Sequence, residues 1–228
     1  MAAMKVSVIV PVLNEEKSLG ATLRALLALR PYEIIVVDGG STDRTADICR
    51  GLGIEIAPAA RGRARQMNFG AAQARGEALL FLHADTRLPA SALGDIAAAL
   101  ADPRCAGGRF DIELDGNHWM LRIIATLINR RSRATGVATG DQAIFVRREI
   151  FERLGGFQDI PLMEDIAFCR ALKRAGRIAC LRSRAVTSAR RWESDGVWRT
   201  IFKMWILKAG YLAGVSPARL KKFYADTR

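Results

Sequence analysis

Short β-branched runs alternate with amphipathic stretches through the first hundred residues. Val6–Val12 (VSVIVPV) is apolar at nearly every position, the pattern of a strand covered on both faces. Residues 33–37 (EIIVV), 54–57 and 78–82 (ALLFL) repeat that pattern. Between them, residues 18–29, 44–52 and 64–75 carry helical spacing, stopped by Pro31, Gly53 and Gly76, with Ser41 or Thr42 placed to cap the second helix. Strands alternating with helices of about a dozen residues predict βαβ units and a mixed, mainly parallel sheet flanked by helices, an α/β Rossmann-like architecture.

Beyond about residue 104 the rhythm changes. Residues 108–114 alternate as a strand, 118–133 read as a helix, 142–147 as a strand and Glu164–Ala175 as a helix. Two short strands (178–181 and 185–189) and two helices (196–213 and 217–224) follow. The 118–133 helix is amphipathic, with Trp119, Met120, Ile123, Ile124, Leu127 and Ile128 on one side and Arg122, Thr126, Asn129, Arg130 and Arg133 on the other. It suits packing on the sheet, or a basic helix at a membrane or over an anionic acceptor. With no repeat and no linker tract, the pattern fits one domain over 1–228. Its first half (1–104) is of nucleotide-binding type, 105–192 forms the acceptor and catalytic half, and 193–228 is a helical C-terminal segment.

Composition narrows the class. Of 228 residues, half are hydrophobic and a quarter charged, which excludes wholesale disorder, collagen-like repeats and coiled coil. The net charge of +12 is placed unevenly: residues 1–113 hold 13 basic and 13 acidic side chains, residues 114–228 hold 22 and 10. That surface attracts anions, whether polymer, lipid headgroup or phosphorylated substrate, unless it is only solvated arginine. Cys49, Cys105, Cys169 and Cys180 are scattered, without zinc spacing, and read as reduced thiols. No apolar run reaches the length of a spanning helix, so the expectation is a cytoplasmic protein, with peripheral contact at the inner membrane face left open.

In open α/β sheets, ligands bind beyond the carboxyl ends of the strands. Those ends carry Pro11-Val12-Leu13-Asn14-Glu15, Asp38-Gly39-Gly40-Ser41 and His83-Ala84-Asp85. The glycine fingerprints of dinucleotide and P-loop folds are absent, and two acids at the first helix start would repel a pyrophosphate. What remains is carboxylate at three strand ends. Asp38 suits a base N–H, or merely shapes a turn before Gly-Gly. Asp85 suits a hard cation, with His83 on the same face as a second ligand.

The blocks VSVIVPVLNEE, EIIVVDGGSTDRT, RGRARQMNFGAAQARGEALLFLHADT, GDQAIF and MEDIAFCRALKRAG, in that order, resemble the family 2 glycosyltransferases with the A-type nucleotide-sugar-binding fold. The resemblance covers roughly residues 6–177. It implies an inverting transferase that moves a sugar from a nucleotide-diphospho-sugar, UDP-linked, to an unidentified acceptor. Pro11, Asn14 and Glu15 would line the nucleoside pocket and Asp38 would read the base. Ala84 and Asp85 would sit at the diphosphate, with Asp85 as the last acid of the family's D-x-D motif holding Mg2+ or Mn2+; His83 replaces its first acid. Arg61, Arg65 and Asn68 would contact donor phosphate and nucleotide, a reading favoured because arginines in a first helical turn oppose the helix dipole.

On the acceptor side, Glu164 and Asp165 open a helix and would otherwise be capping acids. The resemblance makes Asp165 the general base and Glu164 an acceptor-orienting residue, with Asp141 contacting donor sugar or acceptor. Arg191 and Trp192 are similar to the tail of the family's Q-x-x-R-W motif, with Ser188 in the Gln position; they would grip diphosphate and stack under a sugar. The short form without membrane helices resembles a subgroup associated with radical-SAM, selenodomain and arsenosugar-type pathways. Nucleic acid is excluded as a partner by the lack of a reader motif. A homodimer stays open, and the rival reading is a non-catalytic binder of anionic polymer or membrane through the basic second half.

Overall fold

β1 (Val6–Val12) is buried at every position but Pro11, because helices cover the sheet on both faces. Its even-numbered residues Val6, Val8, Val10 and Val12 pack with Leu19, Leu23 and Leu26 of helix α1 (Leu19–Leu29). Ile9 points the other way, into a cluster with Ala64, Met67 and Ala71. Alternation of side chains along a strand thus joins two apolar layers through one sheet. The computed structural model describes residues 4–194 and 196–223, apart from the side chains of Arg191, Ser194 and Leu212.

The chain continues through β2 (Glu33–Asp38), α2 (Thr45–Gly51), β3 (Ile56–Pro58), α3 (Arg63–Gln73) and β4 (Ala78–Phe81). These strands lie parallel in the order β3-β2-β1-β4. Then come β5 (Thr86–Arg87), α4 (Ala92–Leu100), β6 (Cys105–Asp115), α5 (Trp119–Thr135) and a three-ten turn at Gly140–Gln142. β7 (Ile144–Arg147), α6 (Arg148–Arg153), α7 (Glu164–Ala175), β8 (Arg177–Ser188), α8 (Arg190–Ser194), α9 (Val197–Leu212) and α10 (Pro217–Phe223) complete it. The sheet has eight strands, in the order β3-β2-β1-β4-β7-β6-β8-β5, with β7 antiparallel to both neighbours and β6 parallel to β8. The expected mixed α/β architecture is observed.

Several local expectations are corrected. Ser41 and Thr42 do not cap α2: Arg44 is its N-cap residue, and Ser41 Oγ donates instead to Asp38 Oδ1 at 2.6 Å. The two short strands near residues 178–189 are one strand, β8, whose register against β6 slips between Phe110 and Asp111. That slip accommodates the polar Arg182-Ser183 interruption as a bulge. The last helix ends at Phe223 among the described residues; Tyr224, expected within it, lies outside them.

β6 is held close to both neighbours by glycine. A Cβ at Gly108 would collide with the Ala179 carbonyl oxygen and sit 2.5 Å from the Phe145 ring; one at Gly107 would lie 2.9 Å from Val146 Cα. Backbone cannot yield as a flexible side chain can. Gly108→Ala should therefore cost about 2–3 kcal/mol through overpacking, read as a lowered denaturant midpoint with unchanged slope. α5 is fastened to β6 by Asn129, whose side-chain amide donates to the Ile112 carbonyl at 2.9 Å and accepts from its N–H at 2.8 Å.

Candidate active site

The carboxyl ends of β1, β2 and β4 converge where the parallel strands change direction of succession, between β1 and β4. Asn14 follows β1 in the left-handed region (φ 55°), which asparagine tolerates better than most residues. Its Oδ1 accepts from Thr42 N–H at 2.8 Å, and its own N–H donates to Ser41 Oγ at 2.9 Å. Ser41 in turn donates to Asp38 through both N–H (3.0 Å) and Oγ (2.6 Å). Asn14 and Asp38 are thus joined through one serine. Glu15 N–H donates to Thr45 Oγ1 at 2.9 Å, locking the same two loops.

Beneath these loops lies Gln66, fully inside and unremarked in the sequence. Its Nε2 donates to the carbonyls of Val12 (2.7 Å) and Val37 (2.8 Å), tying the ends of β1 and β2. A Cβ on Gly39 would stand 3.0 Å from that amide, so glycine is needed for the approach.

The segment His83-Ala84-Asp85 turns sharply, with Thr86 N–H donating to the His83 carbonyl at 3.1 Å. Ala84 is buried, its carbonyl taken by Thr22 Oγ1 at 2.8 Å. Asp85 projects to Arg190, whose Nη2 stands 3.1 Å from Asp85 Oδ2 and 3.2 Å from Glu15 Oε2. Two carboxylates from different strand ends thereby share one cation. The sequence pointed to Arg191 and Trp192 for this region. The side chain of Arg191 lies outside the described set, and Trp192 packs half-buried in the apolar cluster of Ile112, Leu114 and Met120. Arg190 reaches both acids.

Of the RGRAR run, Arg65 pairs with Asp159 (2.9 Å) and Arg61 is exposed, whereas Arg63 enters the site. Its spacing explains this: Arg63 lies four residues before Met67 and seven before Gly70, on the face of α3 that packs inward. Asn68 is held by main chain. Its amide donates to the Phe157 carbonyl at 2.8 Å and accepts Phe157 N–H at 2.9 Å, stitching α3 to the Gly155-Gly156 turn.

Arg63 Nη1 approaches Glu164 Oε1 at 3.6 Å, and Glu164 is buried. Burial works against the guanidinium charge, yet Glu164, Asp165, Asp85 and Asp141 together hold its pKa above the ordinary arginine value. Asp165 Oδ2 accepts Gly140 N–H at 2.8 Å and Oδ1 accepts Ile166 N–H at 2.7 Å. Burial and the adjacent Glu164 charge nevertheless push its carboxyl up to about 6, with Arg63 and the two amides pulling back. Asp165, Arg63, His83, Gly140 and Pro11 line one small cavity. The His83 ring packs on Gly140, where a Cβ would come within 2.5 Å of Nε2. Met163, just before Glu164, and Ala143, two residues after Asp141, both adopt positive φ (69° and 48°), local strain of the kind stored at functional sites.

Beyond Asp165, three polar groups remain poised. Asp141 Oδ1 and Arg131 Nη2 are buried without a hydrogen-bond partner. Lys208 of α9 is depressed below the usual lysine range by burial and by Arg131, with Asp141 and Asp165 opposing. Among the described residues, no group of three or more His, Cys, Asp or Glu side chains forms a ready metal cage, and no helix is long and apolar enough to cross a membrane.

A model of the family described as Glycosyl transferase family 2 matches residues 7–155. The chain is 31% identical over 156 residues to the undecaprenyl-phosphate 4-deoxy-4-formamido-L-arabinose transferase of Pseudomonas aeruginosa, covering 62% of this chain and 46% of that protein. It spans under half the length of the first curated relatives it matches. Among solved structures, the mannosyltransferase PcManGT from Pyrobaculum calidifontis, in complex with GDP-Man and Mn2+, aligns over 92% of this chain and 62% of that one, with TM-score 0.69 and 22% identity. Residues 1–349 of TarS from S. aureus, in complex with UDP-GlcNAc, align over 81% and 58%, with TM-score 0.65 and 23% identity. Both solved structures share the fold.

Proposed function

The chain belongs to glycosyl transferase family 2, and from that premise we propose that it moves a sugar from a nucleoside-diphosphate donor, UDP-linked, to an acceptor hydroxyl with inversion, Asp165 serving as general base. The observation that carries this reading is the setting of Asp165. Two backbone amides aim it, Glu164 and burial raise its pKa, and Arg63 keeps it from rising further. A base with a pKa near 6 is ionised at neutral pH yet basic enough to accept a proton.

In the reaction, the Asp165 carboxylate takes the acceptor's hydroxyl proton as that oxygen bonds to the anomeric carbon. The bond from that carbon to the diphosphate breaks, and the nucleoside diphosphate leaves with the electron pair. Asp38, with Pro11, Asn14 and Glu15, forms the nucleoside pocket, Asp38 accepting a base N–H. Arg63 and Arg190 bring positive charge toward the leaving group, with Arg61, Arg65 and Asn68 on the donor rim. Arg191 and Trp192 are the family-motif positions beside Arg190.

The residues present suit a divalent ion. Asp85 and Glu15 already converge on a single cation, and Mg2+ or Mn2+ takes one or two carboxylates with phosphate oxygens completing the shell. Asp85 would hold it, with His83 as second candidate ligand; when bound, the ion supplies charge to the departing diphosphate. On the acceptor side, Asp141 and Glu164 orient the substrate. Arg131 and Lys208 favour an acceptor with an anionic group, an idea supported by the polyprenyl-phosphate named for the Pseudomonas relative. The whole described chain acts as one transferase domain of the radical-SAM-associated subgroup in this reading.

Titration calorimetry with UDP, GDP and their sugars, with and without Mn2+, tests the donor pocket. UDP should bind more tightly than GDP, Mn2+ should strengthen it, and Asp38→Ala should weaken it by roughly tenfold or more, the scale of a lost charge-assisted hydrogen bond. Failure of every nucleotide to bind would overturn the proposal.

A further inference from the structure

Helices α5 and α9 meet in one apolar cluster. Met120, Leu121, Ile124 and Ala125 of α5 share an apolar cluster with Val197 and Ile201 of α9, over Ile112 and Leu114 of β6. Each helix also has a second apolar face, which stands exposed among the described residues. On α5 it is Trp119, Ile123 and Leu127, spaced four apart, with Trp119 64% exposed. This departs from the sequence expectation, which put those three residues on the packed side. On α9 it is Trp198, Phe202, Trp205 and Ile206, where the first three are 71%, 70% and 74% exposed.

These stripes sit on helices that carry positive charge alone. α5, α9 and α10 together carry ten Lys and Arg and no Asp or Glu. Arg122 and Arg130 border the α5 stripe, Arg199 borders that of α9, and Arg219, Lys221 and Lys222 lie exposed beside Phe223. Large aromatics among cations are what a helix lying in the headgroup layer of an anionic bilayer requires: rings enter the interface while guanidinium and ammonium groups meet lipid phosphate. A second copy of the chain is the poorer occupant, because it would set one positive surface against another. The inner face of α9 meanwhile carries Leu207, which packs with Met163 and Ile166, the neighbours of Glu164 and Asp165.

We infer that the exposed faces of α5 and α9 dock the protein peripherally on an anionic membrane surface, with Asp165 behind the inner face of α9. The docking surface stands on exposure and charge alone and does not depend on the catalytic reading.

The test is sedimentation of the full chain with vesicles of phosphatidylcholine, with and without phosphatidylglycerol. The protein should partition onto the anionic vesicles and not onto the neutral ones. Its tryptophan emission should shift to the blue on binding, and salt at about 0.5 M should reverse much of the partition. Combined Trp198→Gln, Phe202→Gln and Trp205→Gln should weaken partition by about tenfold or more while leaving the circular dichroism and thermal midpoint unchanged, since these side chains bury little. Arg122→Glu with Arg130→Glu provides a second variant that spares the aromatics and should also weaken it. Equal partition of wild type and both variants would overturn the inference. So would wild-type failure to bind anionic vesicles, or a solution dimer that the Gln variant dissociates.

Discussion

Replacing Asp165 with Asn is expected to lower sugar transfer by about 10²–10⁴-fold, the usual contribution of a positioned general base. Asparagine preserves the shape, and its one oxygen can keep one of the two amide hydrogen bonds that Asp165 accepts on separate oxygens, so the helix start should persist at a modest cost of about 1 kcal/mol. The proposed nucleotide pocket is built from the ends of β1, β2 and β4, whereas the amides that hold Asp165 come from Gly140 and Ile166. Donor affinity should therefore stay within about twofold. The same assignment fixes the sign of the pH dependence. Transfer needs the ionised base, so the rate falls as pH drops through about 6 and is flat above until another group intervenes. Turnover by the Asn variant comparable to wild type would remove Asp165 from the mechanism.

The second large effect is expected at Arg63. Glu164 is buried and Arg63 is the cation beside it, so Arg63→Met leaves a buried carboxylate without its partner. Because the guanidinium is itself partly open to water, the stability loss should be about 1–3 kcal/mol rather than the larger cost of a fully buried pair. The catalytic signature is sharper. Arg63 favours the ionised form of Asp165, so its removal lets burial and Glu164 raise that carboxyl further. The rising limb of the pH–rate profile should move upward by roughly one unit or more, leaving a deficit at neutral pH that shrinks as pH increases. Arg63→Lys should recover part of the shift. An unchanged profile in a folded Met variant would show that Arg63 does not tune the base.

The parallel half of the sheet was legible because its signals are strong and local. Val6–Val12 is a continuous β-branched run and forms β1 with those bounds. Glu164–Ala175 has acids at its start, cations at its end and an apolar stripe between, and forms α7 with those bounds. α4 has no clear signal because four of the nine residues of ALGDIAAAL are alanine and one is glycine, which gives little contrast between its faces. β5, two residues long, has no periodicity to read. The offset of the α5 packing face has a different cause. Trp119 and Ile123 are as hydrophobic as Leu121 and Ala125, so only the position of β6 and α9 decides which side is covered.

The site divides in the same way. Asp38, Asp85 and Asp165 stand at element boundaries, where sequence position alone draws attention. Arg63 does not stand out from Arg61 and Arg65 by residue type; its spacing to Met67 is the signal that separates it. Arg190 is one position from the arginine that the family motif indicates, and only the fold brings it to Asp85 and Glu15, which are distant in sequence. Gln66 gave no sign at all, because its partners are main-chain carbonyls of strands distant in sequence.

The most direct test of the account is donor turnover followed by proton NMR across a panel of UDP- and GDP-sugars in the presence of Mn2+, with Asp165→Asn as the control. Water can replace the unidentified acceptor, so no acceptor need be supplied. The account predicts that at least one donor is consumed, that nucleoside diphosphate and a sugar of inverted anomeric configuration appear together, and that Asp165→Asn binds this donor without consuming it. Retention of configuration, or consumption undiminished in the Asn variant, would contradict it.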